Sequence, residues 1–233
     1  PDVFVVYAYG KIFGPKFLGL FAESVNVHPS LLPRWRGPAP IAFSILSRDR
    51  QTGISIQKIA QKVDSGDIFE QVVWDMQFTE TTAELTSRAA EAGSELLHQV
   101  LCKLECGTAH AVPQDEAQAT YSRLLTKQDG MINWSKSSEE LHAMIRAFNP
   151  WPLARTSYEG KTMFIHNAKL LEDSSTQRQA PGTILSIDKS RGIMVQTGTG
   201  ALLITSVQWA GKNLLPIKEF INGARLTSGS CFL

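Results

Sequence analysis

The sequence predicts an α/β fold in which a doubly wound sheet is followed by a small β-barrel. Up to residue 105, strand-like apolar runs alternate with segments of helical spacing, which is the pattern of an α/β layer. Residues 107–122 are poor in apolar residues and have no period, which indicates a linker or strap. Beyond them, short β-like runs are separated by Gly, Asp and Ser. We therefore expect a domain at 1–109, a linker at 110–123 and a second domain at 124–233.

The first domain is predicted to contain four strands and three helices. Residues 2–10 form a near-continuous apolar run, which is typical of a strand in a parallel sheet covered on both faces. Thr81 and Glu84 can cap the longest helix, which carries apolar residues at three- and four-residue spacing. The remaining predicted strands are 24–28, 53–59 and 68–74, and the predicted helices are 15–23, 38–48 and 81–105.

The second domain has a different texture, with five short strands and two helices. Five short strands with a helix are typical of a barrel of the oligonucleotide-binding type. The predicted strands are 153–158, 162–171, 182–187, 192–197 and 201–207, and the predicted helices are 138–147 and 217–222.

Composition excludes several classes of protein. The 233 residues are 43% hydrophobic and contain no apolar run long enough to cross a bilayer, so no membrane partner is expected. Three scattered cysteines do not form a disulfide framework, and Cys102 and Cys106 have no second pair of metal ligands nearby. Residues 120–233 contain 13 Lys and Arg against 8 Asp and Glu, which points modestly to a polyanionic partner.

Asn26 and His28 stand out because they are two residues apart on a predicted strand. Their side chains therefore project from the same face, and Pro29 ends the strand directly after them. Ligands of open α/β sheets bind at the carboxyl ends of the strands. An amide donor beside an imidazole can stabilise an oxyanion and move protons, although both residues could also be structural.

Asp64 lies in the tight turn 63–67 and could complete a polar triad with Asn26 and His28. A carboxylate at this position would favour the imidazolium form and could hold a water molecule. Asp67 is a competing carboxylate, and either residue could simply form a turn.

A basic, aromatic segment follows the strand. Two cations flank an indole in Arg34, Trp35 and Arg36, which suits the phosphates and bases of an RNA end but also suits a surface cation–π cluster. The apolar segment before it could form the wall of a site for a flat heteroaromatic ring; it comprises Ser30, Leu31, Leu32 and Pro33.

These motifs resemble a known family. The segment N-V-H-P-S-L-L-P at 26–33, followed by Arg36-Gly37 and by D-S-G-D at 64–67, is similar to the signature of 10-formyltetrahydrofolate-dependent formyltransferases. The resemblance implies a Rossmann-like sheet and a catalytic centre of Asn26, His28 and Asp64. It implies that 10-formyltetrahydrofolate is the co-substrate, that no metal is needed, and that the folate site comprises Ser30, Leu31, Leu32, Pro33, Lys11, Ile12 and Phe13.

Two further features resemble the members that formylate initiator methionyl-tRNA for translation initiation. One is the segment P-R-W-R-G-P-A-P-I at 33–41, and the other is the second half, which includes D-G-M-I-N-W at 129–134 and F-N-P-W-P at 148–152. This resemblance implies tRNA contacts by Arg34, Trp35 and Arg36. Alternatives left open are transfer to an amino-sugar nucleotide, conversion of formyl-folate without an acceptor, and an inactive RNA-binding remnant.

The family also begins with a strand–helix–strand portion that has no counterpart before Pro1. We therefore expect the sequence to be a fragment with an uncovered sheet edge and poor activity, whereas the full-length protein is expected to be a monomer. The expected location is a bacterial cytoplasm, with a mitochondrial matrix as the alternative.

Overall fold

A computed structural model describes residues 2–171 and 179–233. The chain forms two compact units, of which the first ends at Leu124 and the second runs from Leu125 to Leu233. Among the described residues, no helix combines the length and the apolar character that a bilayer crossing requires.

The first unit contains a four-stranded sheet with strand order β1-β2-β3-β4. The pair β1 and β2 is parallel, whereas β2 with β3 and β3 with β4 are antiparallel. The expected parallel sheet is therefore a mixed sheet, because residue alternation sets which face a side chain occupies and not the direction of its strand. The elements are β1 (Val3–Tyr7), α1 (Pro15–Leu18), β2 (Glu23–His28), α2 (Pro40–Leu46), β3 (Gln51–Lys58), β4 (Ile68–Asp75) and α3 (Thr82–Glu105).

Helix α3 covers one face of this sheet. It begins with a capping box in which Thr81 and Glu84 satisfy each other's main-chain N–H groups, as expected. Gly93 allows a close approach, because a Cβ at this position would lie 3.1 Å from both Ile54 and Val27. The resulting core comprises Val25, Val27, Ile54, Ile56, Phe69, Ala89, Leu96 and Val100. Because side chains alternate along a strand, the polar residues of β2 and β3 lie on the opposite face.

The segment after α3 packs on the first unit, although its sequence suggested a linker or strap. Val112 pairs with Ile68, and Tyr121 pairs with Arg36 in isolated β-bridges. Between them, Asp115 caps a short 3₁₀ helix, Glu116–Gln118. Main-chain and side-chain groups of residues 114–122, here named the strap, contact the loop that follows β2.

The second unit contains one antiparallel sheet with strand order β5-β6-β9-β8-β7. Helix α4 starts at a capping box formed by Ser137 and Glu140 and packs against β6. At the carboxyl end of the chain, Leu233 exchanges two main-chain hydrogen bonds with Ser157, and Cys231 pairs with Thr183. The elements are α4 (Ser138–Ala147), β5 (Ala154–Tyr158), β6 (Lys161–Leu170), β7 (Ile184–Asp188), β8 (Gly192–Gln196), β9 (Ala201–Trp209) and α5 (Ile217–Ala224).

Candidate active site

Polar side chains meet on the sheet face that α3 leaves uncovered. Asn26 of β2 lies opposite Gln57 of β3, and His28 lies opposite Ser55. Because both pairs occupy alternate positions, all four side chains point away from the apolar core. His28, Ser55 and Gln57 are buried, so their polar groups need partners inside the protein.

Asp64 joins this face from the loop between β3 and β4. Its Oδ2 accepts a hydrogen bond from the main-chain N–H of Gly37 at 2.7 Å, and its Oδ1 accepts from Gln57 Nε2 at 3.0 Å. A longer contact of 3.4 Å joins Asn26 Nδ2 to the same Oδ1. The structure thus places the three side chains predicted as catalytic together. All three neighbours donate to the Asp64 carboxylate, which fixes its orientation.

His28 is held by two groups on opposite sides of its ring. Nε2 lies 2.9 Å from the main-chain oxygen of Trp35, and Nδ1 lies 3.6 Å from Asp64 Oδ2. Because a carbonyl oxygen only accepts, Nε2 carries a hydrogen in this geometry. Nδ1 is therefore the nitrogen that can gain or lose a proton next to the carboxylate.

The loop that contains Trp35 has an uncommon backbone conformation at two positions. Trp35 has a φ of +60° and Gly37 a φ of +103°, both in the left-handed region. Thr120 and Ser122 of the strap hold the loop: the Thr120 hydroxyl accepts from Trp35 N at 2.9 Å, and Ser122 N donates to Arg36 O at 2.7 Å. Glycine is required at position 37, since a Cβ would lie 2.5 Å from the Ser122 carbonyl oxygen.

A cavity of about 550 Å³ opens beside the triad. This volume is within the range of small-molecule sites, about 300–1,000 Å³. Its lining includes the three catalytic candidates and three of the residues expected in the folate site; these are Asn26, His28, Asp64, Lys11, Ile12 and Phe13.

The segment 30–33, also expected in the folate site, does not line this cavity. Ser30 and Leu32 are buried behind it. The Ser30 hydroxyl donates to Arg34 O at 2.6 Å, and the Ser55 hydroxyl donates to Ser30 O and accepts from Leu32 N. The hydroxyl of Ser30 and main-chain groups of this segment are thus used within the protein, and the direct folate contact expected of the segment stays a prediction.

The side chains of the basic segment are paired within the first unit. Arg34 forms a two-pronged ion pair with Asp49 and stacks on Trp35, whose Nε1 donates to the same carboxylate at 2.7 Å. The Arg34 side chain is 44% exposed, whereas Arg36 is completely buried. Arg36 donates to Gln114 and Glu116, and its hydrogen bonds hold the pKa of the Glu116 carboxyl below its usual value. A phosphate would have to displace these partners to reach the Arg36 guanidinium, and the expected RNA contact by Arg36 stays a prediction.

Three residues of this network were absent from the sequence-based site: Ser55, Gln57 and Gln114. The sequence predicted a strand at 53–59, and in the structure both faces of this strand are buried. The signal that could have found Ser55 and Gln57 was their polar character at alternate positions of this strand. Gln114 had none, since it lies in the aperiodic strap. Within residues 2–171 and 179–233, no three His, Cys, Asp or Glu side chains converge as a metal site.

Comparison with known proteins identifies the family. The profile described as formyl transferase matches residues 1–101, and that described as formyl transferase, C-terminal domain, matches 124–225. The methionyl-tRNA formyltransferase of Treponema denticola is 45% identical over 227 residues, which are 96% of this chain and 70% of that protein.

Solved structures with the same fold are more distant in sequence. HypX from Aquifex aeolicus, in complex with tetrahydrofolic acid, has a TM-score of 0.72 at 20% identity and aligns with 96% of this chain and 38% of its own. The methionyl-tRNA formyltransferase from Clostridium thermocellum has a TM-score of 0.60 at 21% identity, with 73% of each chain aligned. The two matching profiles and the 45% identity to the Treponema denticola protein together show that this chain belongs to the methionyl-tRNA formyltransferase family.

Proposed function

We propose that this protein transfers the formyl group of 10-formyltetrahydrofolate to the α-amino group of methionyl-initiator tRNA. Relatives that carry the name methionyl-tRNA formyltransferase are 39–45% identical to this chain over nearly its whole length. The observation that carries the chemistry is the Asp64 carboxylate, which accepts from Gly37 and Gln57 and lies 3.6 Å from Nδ1 of a buried His28.

The reaction needs an oxyanion donor and a proton carrier. The neutral amine attacks the formyl carbon, which gives a tetrahedral species with a negatively charged oxygen; the C–N10 bond then breaks as N10 takes a proton and the amine loses one. Asn26 lines the cavity and supplies the amide donor for the oxyanion. Nδ1 of His28 polarises the formyl oxygen and exchanges protons, and Asp64 stabilises its protonated state and positions a water molecule. No metal is required, since a neutral amine is a sufficient nucleophile.

We assign the folate co-substrate to the cavity beside the triad. Lys11, Ile12 and Phe13 line the same cavity as Asn26, so one continuous space can take both a flat pterin and the reacting N10. Segment 30–33 acts from beneath, by fixing the end of β2 through Ser55.

The tRNA is assigned to two separate surfaces. On the first unit, the partly exposed Arg34 and its stacked Trp35 suit phosphate and base contacts. The second unit, residues 125–233, contains 12 Lys and Arg against 8 Asp and Glu, and this basic balance suits a polyanion. We also propose that this unit is an oligonucleotide-binding type of barrel, because main-chain bonds from residues 231–233 link β5 with the start of β7.

We also propose how the chain is organised. Residues 1–109 form the catalytic domain, 110–123 the connecting segment and 124–233 the tRNA-binding domain. We propose a monomer. We also propose that the protein is located in a bacterial cytoplasm, because relatives such as the Treponema denticola protein are bacterial.

The test is transfer of radiolabelled formyl groups from 10-formyltetrahydrofolate to charged initiator tRNA. We expect label on methionyl-tRNA with the wild-type protein and a loss of about 10³-fold with His28→Ala, since a general acid–base group contributes about 10²–10⁴. His110→Ala is the matched control, because His110 is exposed and lies outside the cavity lining. Transfer to an amino-sugar nucleotide and not to methionyl-tRNA would overturn the substrate, whereas full activity of His28→Ala would overturn the site.

A further inference from the structure

One side chain of the strap connects three segments of the site. Gln114 Oε1 accepts from Arg36 Nε at 3.0 Å and from Arg36 Nη2 at 2.8 Å. Its Nε2 donates to the main-chain oxygens of Asp64 and Gly66, at 2.9 and 2.7 Å, and to Gln57 Oε1 at 3.2 Å. A single carboxamide therefore contacts the loop after β2, the loop before β4 and strand β3.

The orientation of this carboxamide is fixed by chemistry at both ends. A guanidinium has only donors, so the atom of Gln114 that faces Arg36 must be the oxygen. The opposite end faces two carbonyl oxygens, of Asp64 and Gly66, and must be the amino group. Arg36 cannot turn away, because it is completely buried and Glu116 pairs with its other edge.

The same argument fixes the orientation of the Gln57 carboxamide. Its Oε1 faces the amino group of Gln114, so its own amino group must face Asp64 Oδ1, 3.0 Å away. Gln57 is 1% exposed and has no room to exchange these ends with water. The result is a chain of hydrogen bonds in which each residue donates to the next, in the order Arg36, Gln114, Gln57 and Asp64. The last donor, the amino group of Gln57, binds the Asp64 carboxylate beside His28.

We propose that Gln114 is a positioning residue for formyl transfer, acting through Gln57 on Asp64. This inference rests on the proposed function for its kinetic readout. The chain of hydrogen bonds keeps Asp64 in place as the acceptor that faces Nδ1 of His28. In this account the buried Arg36 sets the direction of the chain and does not contact RNA.

The substitution Gln114→Glu tests the direction of these hydrogen bonds without changing the size of the side chain. A glutamate still accepts hydrogen bonds from Arg36 but turns an oxygen toward Gln57, Asp64 O and Gly66 O. Gln57 must then rotate and present its oxygen to Asp64. We expect kcat for formyl transfer to fall about 10- to 100-fold, as for the loss of one charge-assisted bond. KM for both substrates should stay within about threefold. Gln114→Met removes donor and acceptor at similar length and should show the same loss.

A control and a double-mutant cycle separate positioning from packing. Gln118→Glu makes the same change four residues further along the strap, where Gln118 is exposed and contacts Asp115, and should keep wild-type kcat. Gln57→Leu removes the middle of the chain, so adding Gln114→Glu to it should cause little further loss. Losses that multiply, or an equal loss in Gln118→Glu, would overturn the proposal.

A readout without turnover keeps the proposal separable from the proposed function. The Gln57 side-chain amide signal, identified by NMR as the one missing in Gln57→Leu, should exchange slowly with water in the wild-type protein. In Gln114→Met we expect its exchange to speed up at least about tenfold, because its Oε1 has lost its donor. Unchanged exchange would overturn the inference even if methionyl-tRNA is formylated. Faster exchange in a protein that formylates no tRNA would overturn the proposed function alone.

Discussion

The main-chain oxygen of Trp35 lies 2.9 Å from Nε2 of His28 and fixes the orientation of the imidazole ring. The carbonyl keeps a hydrogen on Nε2, so a change of charge on His28 occurs at Nδ1, on the side of Asp64. The indole side chain of Trp35 is not involved, since it is bound to Asp49. The main chain of Trp35, and not its side chain, therefore contacts His28.

Replacing Asp64 by asparagine is the first test of this arrangement. The neighbours of Asp64 are donors from Gly37, Gln57 and Asn26, so the amino group of an asparagine must face one of them. Asparagine also lacks the negative charge that Asp64 places 3.6 Å from Nδ1 of His28. We expect kcat for formyl transfer to fall about 10³-fold, with folate affinity within about threefold. Steady-state kinetics and a folate titration would measure the two effects.

Asp67→Asn is the matched control for that experiment. Asp67 lies in the same loop, but in the described part of the chain its carboxylate has no hydrogen-bond or ion-pair partner, and only its main-chain oxygen is used, by Lys58. We expect activity within about twofold of the wild type, as for surface substitutions. If the two variants lose activity equally, Asp64 has no special role.

Gly37→Ala should destabilise the first unit and impair the site together. A Cβ would lie 2.5 Å from Ser122 O at a φ of +103°, and the N–H of Gly37 binds Asp64. We expect a loss of about 2–3 kcal/mol in the free energy of unfolding. Calorimetry would give the change for this unit.

Gly107→Ala separates backbone strain from the contact with Ser122. Gly107 has a φ of +67°, and no atom lies within 4 Å of a Cβ built there. We expect this substitution to cost about 1 kcal/mol, the penalty of the left-handed conformation alone. Equal losses at the two glycines would show that the strap does not press on the loop.

Ser55→Ala should loosen segment 30–33. The hydroxyl of Ser55 donates to Ser30 O and accepts from Leu32 N and Gln71 Nε2, all within 3.0 Å, and the residue is fully buried. Its removal leaves a buried N–H without a partner, which costs about 1–3 kcal/mol. Ser44→Ala is the comparison, since Ser44 is equally buried but its hydroxyl only donates to Ile41 O. A denaturant titration that gives Ser44→Ala the larger loss would contradict this account.

Much of the fold followed from apolar periodicity, because burial of one face determines where a helix or strand occurs. Helix α4 matches its predicted range of 138–147. Helix α1 was predicted over 15–23 but ends at Leu18, because Gly19 closes it and Glu23 already belongs to β2. The direction of β3 could not be predicted, since alternation is the same in parallel and antiparallel strands.

The candidate site was predictable only where the chain itself brings residues together. Asn26 and His28 are neighbours on one strand, and the motif resemblance added Asp64. Gln114 is 50 residues from Asp64, and it reaches the site through main-chain oxygens, for which no sequence pattern exists. The enclosure of Arg36 by Gln114 and Glu116 could not be predicted either, because the sequence around an arginine does not reveal which distant side chains will surround it.

The second unit should lose stability in mild acid because of His142. Burial, with a smaller effect of Arg146, lowers the pKa of His142 from 6.5 to about 4 in the folded state. The unfolded chain therefore binds more protons between about pH 6.5 and pH 4, so stability is complete above this window and is lost as the pH falls through it. Allowing for the partial exposure of the ring, we expect a loss of about 2 kcal/mol.

Comparing wild-type protein with His142→Gln isolates this effect, because glutamine does not titrate. The melting temperature of the second unit should fall less steeply from pH 7.5 to pH 4.5 in the variant. His110 is exposed and lies in the first unit, two residues before the Val112 bridge to Ile68. The melting temperature of His110→Gln should therefore depend on pH as in the wild type. Parallel curves for the wild type and His142→Gln would mean that His142 accepts its proton in the folded state as easily as in the unfolded chain, and that burial does not hold it neutral.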